Sequence, residues 1–241
     1  MVEVAVEGSA VDPTVAQLRQ AMAGVGVATA GTAARRLEVG PGEDGPPPDV
    51  LAVPATLAGL FPGGGLGRGS VVTAAGAGSL LLSMIAAASG AGAQVAVVGL
   101  KRLSMLAAAE MGADLNRVAL IADPGPDPLQ IATILLDGMD LVVLGLGGAS
   151  VPPSRAKVLA ARARRNSSVL LVVDGSWPGA AAQLTARVSG YRRGPTVRCG
   201  YGRIDGWDLA VSVRARSRPP RSVRLTAGGG MPCVESGEVD R

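Results

Sequence analysis

Short aliphatic runs recur along the middle of the chain and leave few folds open to it. They are VVTAA (71–75), VAVV (95–98), VALI (118–121), LVVL (141–144) and VLLVV (169–173). Such runs have no polar face, so each reads as a strand buried on both sides. The strands are expected at Ser70–Ala74, Gln94–Val98, Val118–Ile121, Asp140–Leu144 and Val169–Asp174. Helical stretches separate them: Ser79–Ser89, Leu103–Met111 closed by Gly112, Pro128–Leu136 and Ser154–Arg165. Strands alternating with helices predict an α/β fold, a mostly parallel sheet covered on both faces.

The texture changes on either side of this block. After Trp177, segments 184–191, 196–204, 207–216 and 221–226 alternate and are rich in Val and Arg. They read as antiparallel strands added at the C-terminal end of the sheet. Before the block, Asp12-Pro13 marks the start of a helix over Val11–Ala23, and GPGEDGPPPD (40–49) is a linker. The expected organisation is an N-terminal helix and Pro/Gly-rich linker (1–50), a core (51–226) and a flexible tail (227–241).

Composition then removes whole classes of chemistry. The 241 residues include no histidine, which excludes Ser-His-Asp and Cys-His nucleophile systems and the commonest zinc ligand. Cys199 and Cys233 stand alone without CxxC spacing, so no metal site is expected. Without a secretory leader at the N-terminus, a reduced cytoplasmic setting is the expectation. Residues 69–100 carry no charge, yet Gly76, Gly78, Gly90, Gly92 and Gly99 break the run. It reads as strand, turn, helix, turn, strand rather than a membrane span.

A strand that turns through glycines into a helix is where phosphate chemistry belongs, on the helix N-terminus. Here VVTAA runs into Gly76-Ala77-Gly78-Ser79. A working phosphate loop, G-x-x-x-x-G-K-[ST], needs length to wrap the phosphates, a lysine for their charge and a hydroxyl for Mg²⁺. This turn is short, and the first lysine in the chain is Lys101. Ser79 offers a hydroxyl, but an N-cap serine is the plainer reading. Gly76, Gly78 and Ser79 therefore mark a vestigial position at which no cofactor is expected.

An ordered series of segments then resembles bacterial RecA. LAGLFPGGGLGRGSVVTAAG (57–76) is similar to its entry into the phosphate loop, and IAAASGAGAQVAVVG (85–99) to the helix and strand that follow. LAAAEMGADLNRVALIADPG (106–125), AAQLTARVSGYRRG (181–194) and GWDLAVSVRARSRPP (206–220) continue the series in order. The resemblance implies a three-layer RecA-like fold. It also implies lost catalysis: the phosphate-loop lysine has no counterpart. The water-activating acid falls at or near Lys101, and the Mg²⁺-holding Asp at about Gly145. Asp140 stands at the wrong end of its strand. The DNA-gripping loop of the family is reduced to GSWPG (175–179), with a helix expected to follow.

A shortened, inactive RecA-like chain of this size resembles the ImuA/ImuA-prime accessory proteins of bacterial mutagenesis cassettes. That resemblance implies a non-catalytic role in DNA-damage-induced translesion synthesis, through binding an ImuB-type polymerase-like partner in the cytoplasm, with no cofactor. Two other functions stay open on the residues. One is a divergent ATPase using Ser79 and a neighbouring subunit's arginine; the other is a sequence-independent DNA-binding module.

The C-terminal half is basic: ten arginines lie between Arg187 and Arg224, against Asp205 and Asp208. Arg192, Arg193, Arg214, Arg216, Arg218 and Arg221 are the candidate contacts for a partner or for DNA phosphates. A solvated edge hairpin, with Pro219-Pro220 blocking edge pairing, explains the same residues. The resemblance places Arg214 and Arg216 where RecA reaches nucleotide across a subunit interface. Arg155, Lys157, Arg162, Arg164 and Arg165 on the helix 154–165 read as a solvated face. Trp177 and Trp207 read as packing residues.

Overall fold

The computed structural model describes residues 50–193, 204–215, 219–228 and 235–237. The expected helix 11–23, the linker 40–49, Arg216 and Arg218 lie outside the described residues, as do most of segment 196–204 and most of the tail.

The aliphatic runs pair as anticipated. β3 (Val71–Gly76), β4 (Val95–Val98), β5 (Val118–Ile121), β6 (Leu141–Gly145) and β7 (Val169–Val173) are all parallel. Every residue of β4, β6 and β7 is buried, as strands without a polar face require. β8 (Ala182–Arg193), β9 (Ile204–Ala215), β10 (Arg221–Gly228) and β11 (Glu235–Gly237) extend the sheet on the β3 side. The order is β11-β10-β9-β8-β3-β7-β6-β4-β5. A small antiparallel pair, β1 (Val50–Leu51) with β2 (Leu66–Gly67), stands apart and encloses the short helix α1 (Ala55–Ala58).

The helices begin where their caps dictate. α2 (Gly78–Gly90) follows β3 directly. Ser104 caps α3 (Met105–Glu110), accepting from the Ala107 amide. Asp127 caps α4 (Pro128–Leu135), with proline at the first helical position. α5 (Pro153–Asn166) also starts on proline and ends on Ser167 in the left-handed region, with Arg164 and Arg165 in the last turn facing the negative end of the dipole.

Two apolar layers sandwich the sheet. On one face α2 and the segment 51–66 pack over Val72, Leu171, Leu184, Val211 and Val223. On the other, α4 and α5 pack over Val98, Val142, Leu144, Leu170 and Val172. The first layer reaches as far as β10; the second stops at β3. Three layers, a mostly parallel sheet, and antiparallel strands at the C-terminal end are the architecture that the ordered resemblance implies.

Three sequence expectations change. β8, expected to be antiparallel, pairs parallel with β3 from Val72↔Ala182 to Gly76↔Ala186 and antiparallel only with β9. No helix follows 175–179: the Ala181 amide bonds the Val71 carbonyl, and Leu184 and Ala186 alternate into the core as a strand. In the stretch expected to be a tail, β11 pairs antiparallel with β10.

Candidate functional site

The turn after β3 is held by backbone. Gly76 takes φ +103°, and a Cβ there would lie 1.8 Å from the Ala186 carbonyl oxygen on β8. The next amide, Ala77, donates to that same oxygen at 3.1 Å. Helix α2 starts at Gly78, so two residues of β8-bound backbone replace a phosphate-wrapping loop. Ala77, not Ser79, holds the cap position, and it makes no side-chain cap bond. Ser79 sits inside the first turn because the helix begins one residue before it, at Gly78.

The ends of β4 and β6 meet where a metal-holding carboxylate would be needed. Gly99, at φ +74°, would carry its Cβ 2.9 Å from the Gly145 carbonyl oxygen. A Cβ on Gly145 would lie 2.6 Å from Leu100 Cδ2. The position is thus filled by an aliphatic side chain. Beside it Lys101 Nζ pairs with Asp123 at 3.2 Å, on the surface. That hydrogen bond, with one from the Gly125 amide, holds the Asp123 carboxyl below its usual range. Asp140 lies at the opposite edge, where it accepts from Arg68 at 2.8 Å and from the Gln94 amide at 2.8 Å. Its work is structural. These residues do not fit a magnesium nucleotide: the loop is pinned, the carboxylate position is occupied by Leu100, and the nearby lysine is tied to Asp123.

The loops after β6 and β7 are zipped together. The Leu146 amide donates to Val173, Val151 to Ser176, and Ser176 back to Ala149, at 2.9–3.1 Å. A Cβ on Gly175 would lie 2.5 Å from Leu146 Cβ. Trp177 is buried in the apolar layer beneath, a packing residue as expected. The segment expected to be a reduced DNA-gripping loop is therefore fixed against its neighbour. Trp207 packs against the other layer.

The candidate arginines do not form one patch. Arg214 is exposed, opposite Gln183 on the face of the sheet away from α2. Arg192 lies eight positions away along β9, opposite Gly206, with its Nε 3.8 Å from Asp208. Arg193 is exposed opposite Ile204. Arg221, opposite Val213, is on the α2 face and donates to the Gly59 carbonyl at 2.8 Å, tying β10 to the N-terminal segment. The α5 cluster is not simply solvated either. Arg155 makes two bonds to Asp127, and Arg162 pairs with Asp137, so both lock α5 to α4. The Arg162 hydrogen bond holds the Asp137 carboxyl below its usual range.

Sequence reasoning passed over Arg187 and Arg224 as site residues. They face each other across Ala210, on the same face as Arg214. The period-2 alternation of β8–β10 carried that signal, once the registers were known. Among the described residues no group of three His, Cys, Asp or Glu stands ready to hold a metal, and no helix is long and apolar enough to cross a membrane.

A family model described as the MT3502 N-terminal domain matches residues 59–179. The uncharacterized protein Rv3395c of Mycobacterium tuberculosis is 48% identical over 173 residues, which cover 69% of this chain and 85% of that protein. Among solved structures, the KaiC-like protein PH0186 of Pyrococcus horikoshii aligns at 12% identity with a TM-score of 0.49. That alignment covers 77% of this chain and 99% of the other.

Proposed function

The chain belongs to the MT3502 N-terminal domain family, and from that premise and the filled nucleotide position we propose that it works by binding, without ATP hydrolysis. The observation that carries this reading is Leu100 against Gly145. Phosphoryl transfer depends on charge placed around the phosphates and their metal, and this position offers an aliphatic group instead. The turn pinned to Ala186 supports the same reading.

The finer reading follows the resemblance to ImuA-prime-type chains. In it the protein is an accessory factor in DNA-damage-induced translesion synthesis, and it acts by holding an ImuB-type polymerase-like partner. The test is co-purification of this chain with such a partner from the same genome, without added nucleotide. A stoichiometric complex is the expected result. Failure to associate, with the chain folded by circular dichroism, removes the translesion role. Calorimetry with millimolar ATP and Mg²⁺ is expected to be flat; a saturating titration would overturn the non-catalytic reading and favour a divergent ATPase.

A further inference from the structure

The helical layer on the α4–α5 face ends one place short. Ala156, Leu159 and Ala163 of α5 pack over the sheet at β3 and β7. Beyond them, no helix of the described residues covers the same face of β8, β9 and β10. Helices on a sheet occupy roughly 10 Å each, the width of two strands. The uncovered strip therefore has room for one helix beside α5. A cavity of about 330 Å³ opens there over Thr185, Ala210 and Ser212.

The strip is basic from two sides. On its floor the alternation that buries Leu184, Val211 and Val223 puts Arg187, Arg214 and Arg224 on the open face. Arg187 and Arg224 flank Ala210 two strands apart, about 10 Å. On its wall, α5 turns Arg155 and Arg162 toward α4, where both are paired. At 100° per residue this directs Lys157, Ala160 and Arg164 the other way, toward the strip. A Cβ on Gly69, just before β3, would lie 3.0 Å from the Arg164 Cα, which fixes that side of the helix. All five basic side chains are exposed. Among the described residues no carboxylate pairs with any of them, whereas six of the other cations here do have one.

We infer that the trough between α5 and the open face of β8–β10 docks an acidic helix of a partner protein. Its slot is one helix wide and its floor is made of small side chains. Its cations stand at both edges, where carboxylates on either flank of a helix would meet them. Single-stranded nucleic acid fits less well, because it is held by aromatic stacking as well as charge. The aromatics among the described residues of β8–β10, Tyr191 and Trp207, stand opposite each other on the other face. Asp208, also on the open face, is engaged by Arg192 and by the Thr226 hydroxyl at the far end of β9.

This inference rests on the binding reading above but not on the partner's identity. The probe is a fluorescein-labelled 20-residue peptide of Glu-Ala-Ala-Leu repeats, followed by anisotropy with the full chain, beside a 20-nucleotide oligo-dT. R187E/R214E and K157E/R164E should each weaken peptide binding at least tenfold. The control R102E/R165E has the same charge change at exposed cations outside the trough, and should change it less than twofold. Equal loss in the control would mean charge alone, and would overturn the docking site. So would absence of peptide binding, or oligo-dT binding tighter than the peptide and lost with the same variants. A photocrosslinker at Ser212 should react with the peptide; reaction within the chain instead would assign the trough to one of its own acidic segments and overturn a partner. Should R187E/R214E still co-purify with an ImuB-type protein at wild-type stoichiometry, the trough falls while the accessory reading stands.

Discussion

Leu100 occupies the space that any side chain at position 145 would need, with its Cδ2 2.6 Å from where a Cβ on Gly145 would stand. Restoring an acid there therefore conflicts with packing before it can serve chemistry. Gly145→Asp is expected to cost about 2–3 kcal/mol, from overpacking and a desolvated carboxylate. Leu100→Ala in the same chain should recover part of that cost. Urea denaturation of the single and double variants measures the coupling, and additive effects would separate the two residues.

Gly76 should tolerate nothing larger than hydrogen. Its φ of +103° and the 1.8 Å approach to the Ala186 oxygen act together. Gly76→Ala is expected to cost more than about 3 kcal/mol, or to prevent soluble expression. By contrast Gly78, with no atom within 4 Å of its added Cβ and a place in the first turn of α2, should accept alanine within about 1 kcal/mol. Thermal melts of both variants test the difference.

Asp140 joins three pieces of chain through Arg68 and the Gln94 amide. Asp140→Asn keeps an acceptor for Gln94 and loses the ion pair, so a cost of up to about 1 kcal/mol is expected for this half-exposed pair. Asp140→Ala loses both and should cost about 2 kcal/mol. Equal values for the two variants would assign the whole effect to the charge and none to the acceptor for Gln94.

The pairing of Asp137 with Arg162 makes stability depend on pH on the acid side. The folded carboxyl titrates below its ordinary value of 3.8, chiefly through the Arg162 hydrogen bond. A carboxyl with a lowered folded pKa contributes stability above the unfolded value and loses it as pH falls through the folded one. Wild type should therefore lose more stability than Asp137→Asn between about pH 5 and pH 2. Parallel pH–stability curves for the two would remove this pair from the acid limb.

Arg221 illustrates how a candidate contact becomes a structural tie. Its bond to the Gly59 carbonyl at 2.8 Å joins β10 to the segment before β2. Arg221→Ala is expected to lower stability by about 1 kcal/mol and leave acidic-peptide binding unchanged. Weakened peptide binding at unchanged stability would return Arg221 to the binding surface.

Most of the parallel core was legible because its signal is local. VAVV, LVVL and VLLVV have no polar face, and caps such as Asp127-Pro128 mark helix starts within a residue or two. The absence of a lysine near Gly76–Ser79 was equally plain, since residue type is read directly from the sequence. The cap position of α2 was misplaced because Gly76 and Ala77 owe their conformation to Ala186, more than a hundred residues away.

Residue types along the chain thus determined that this protein forms an α/β core, and that no lysine precedes Lys101. The pattern is intrinsic, since burial on both faces demands continuous apolar runs. Tertiary structure alone decided that β8 runs parallel to β3, that Leu100 fills the space beside Gly145, and which arginines share a face. Strand register and helix rotation set those relations, and both depend on partners far apart in sequence. Arg187, Arg214 and Arg224 share a face only through the registers of β8, β9 and β10, which no helix of the described residues covers on that side.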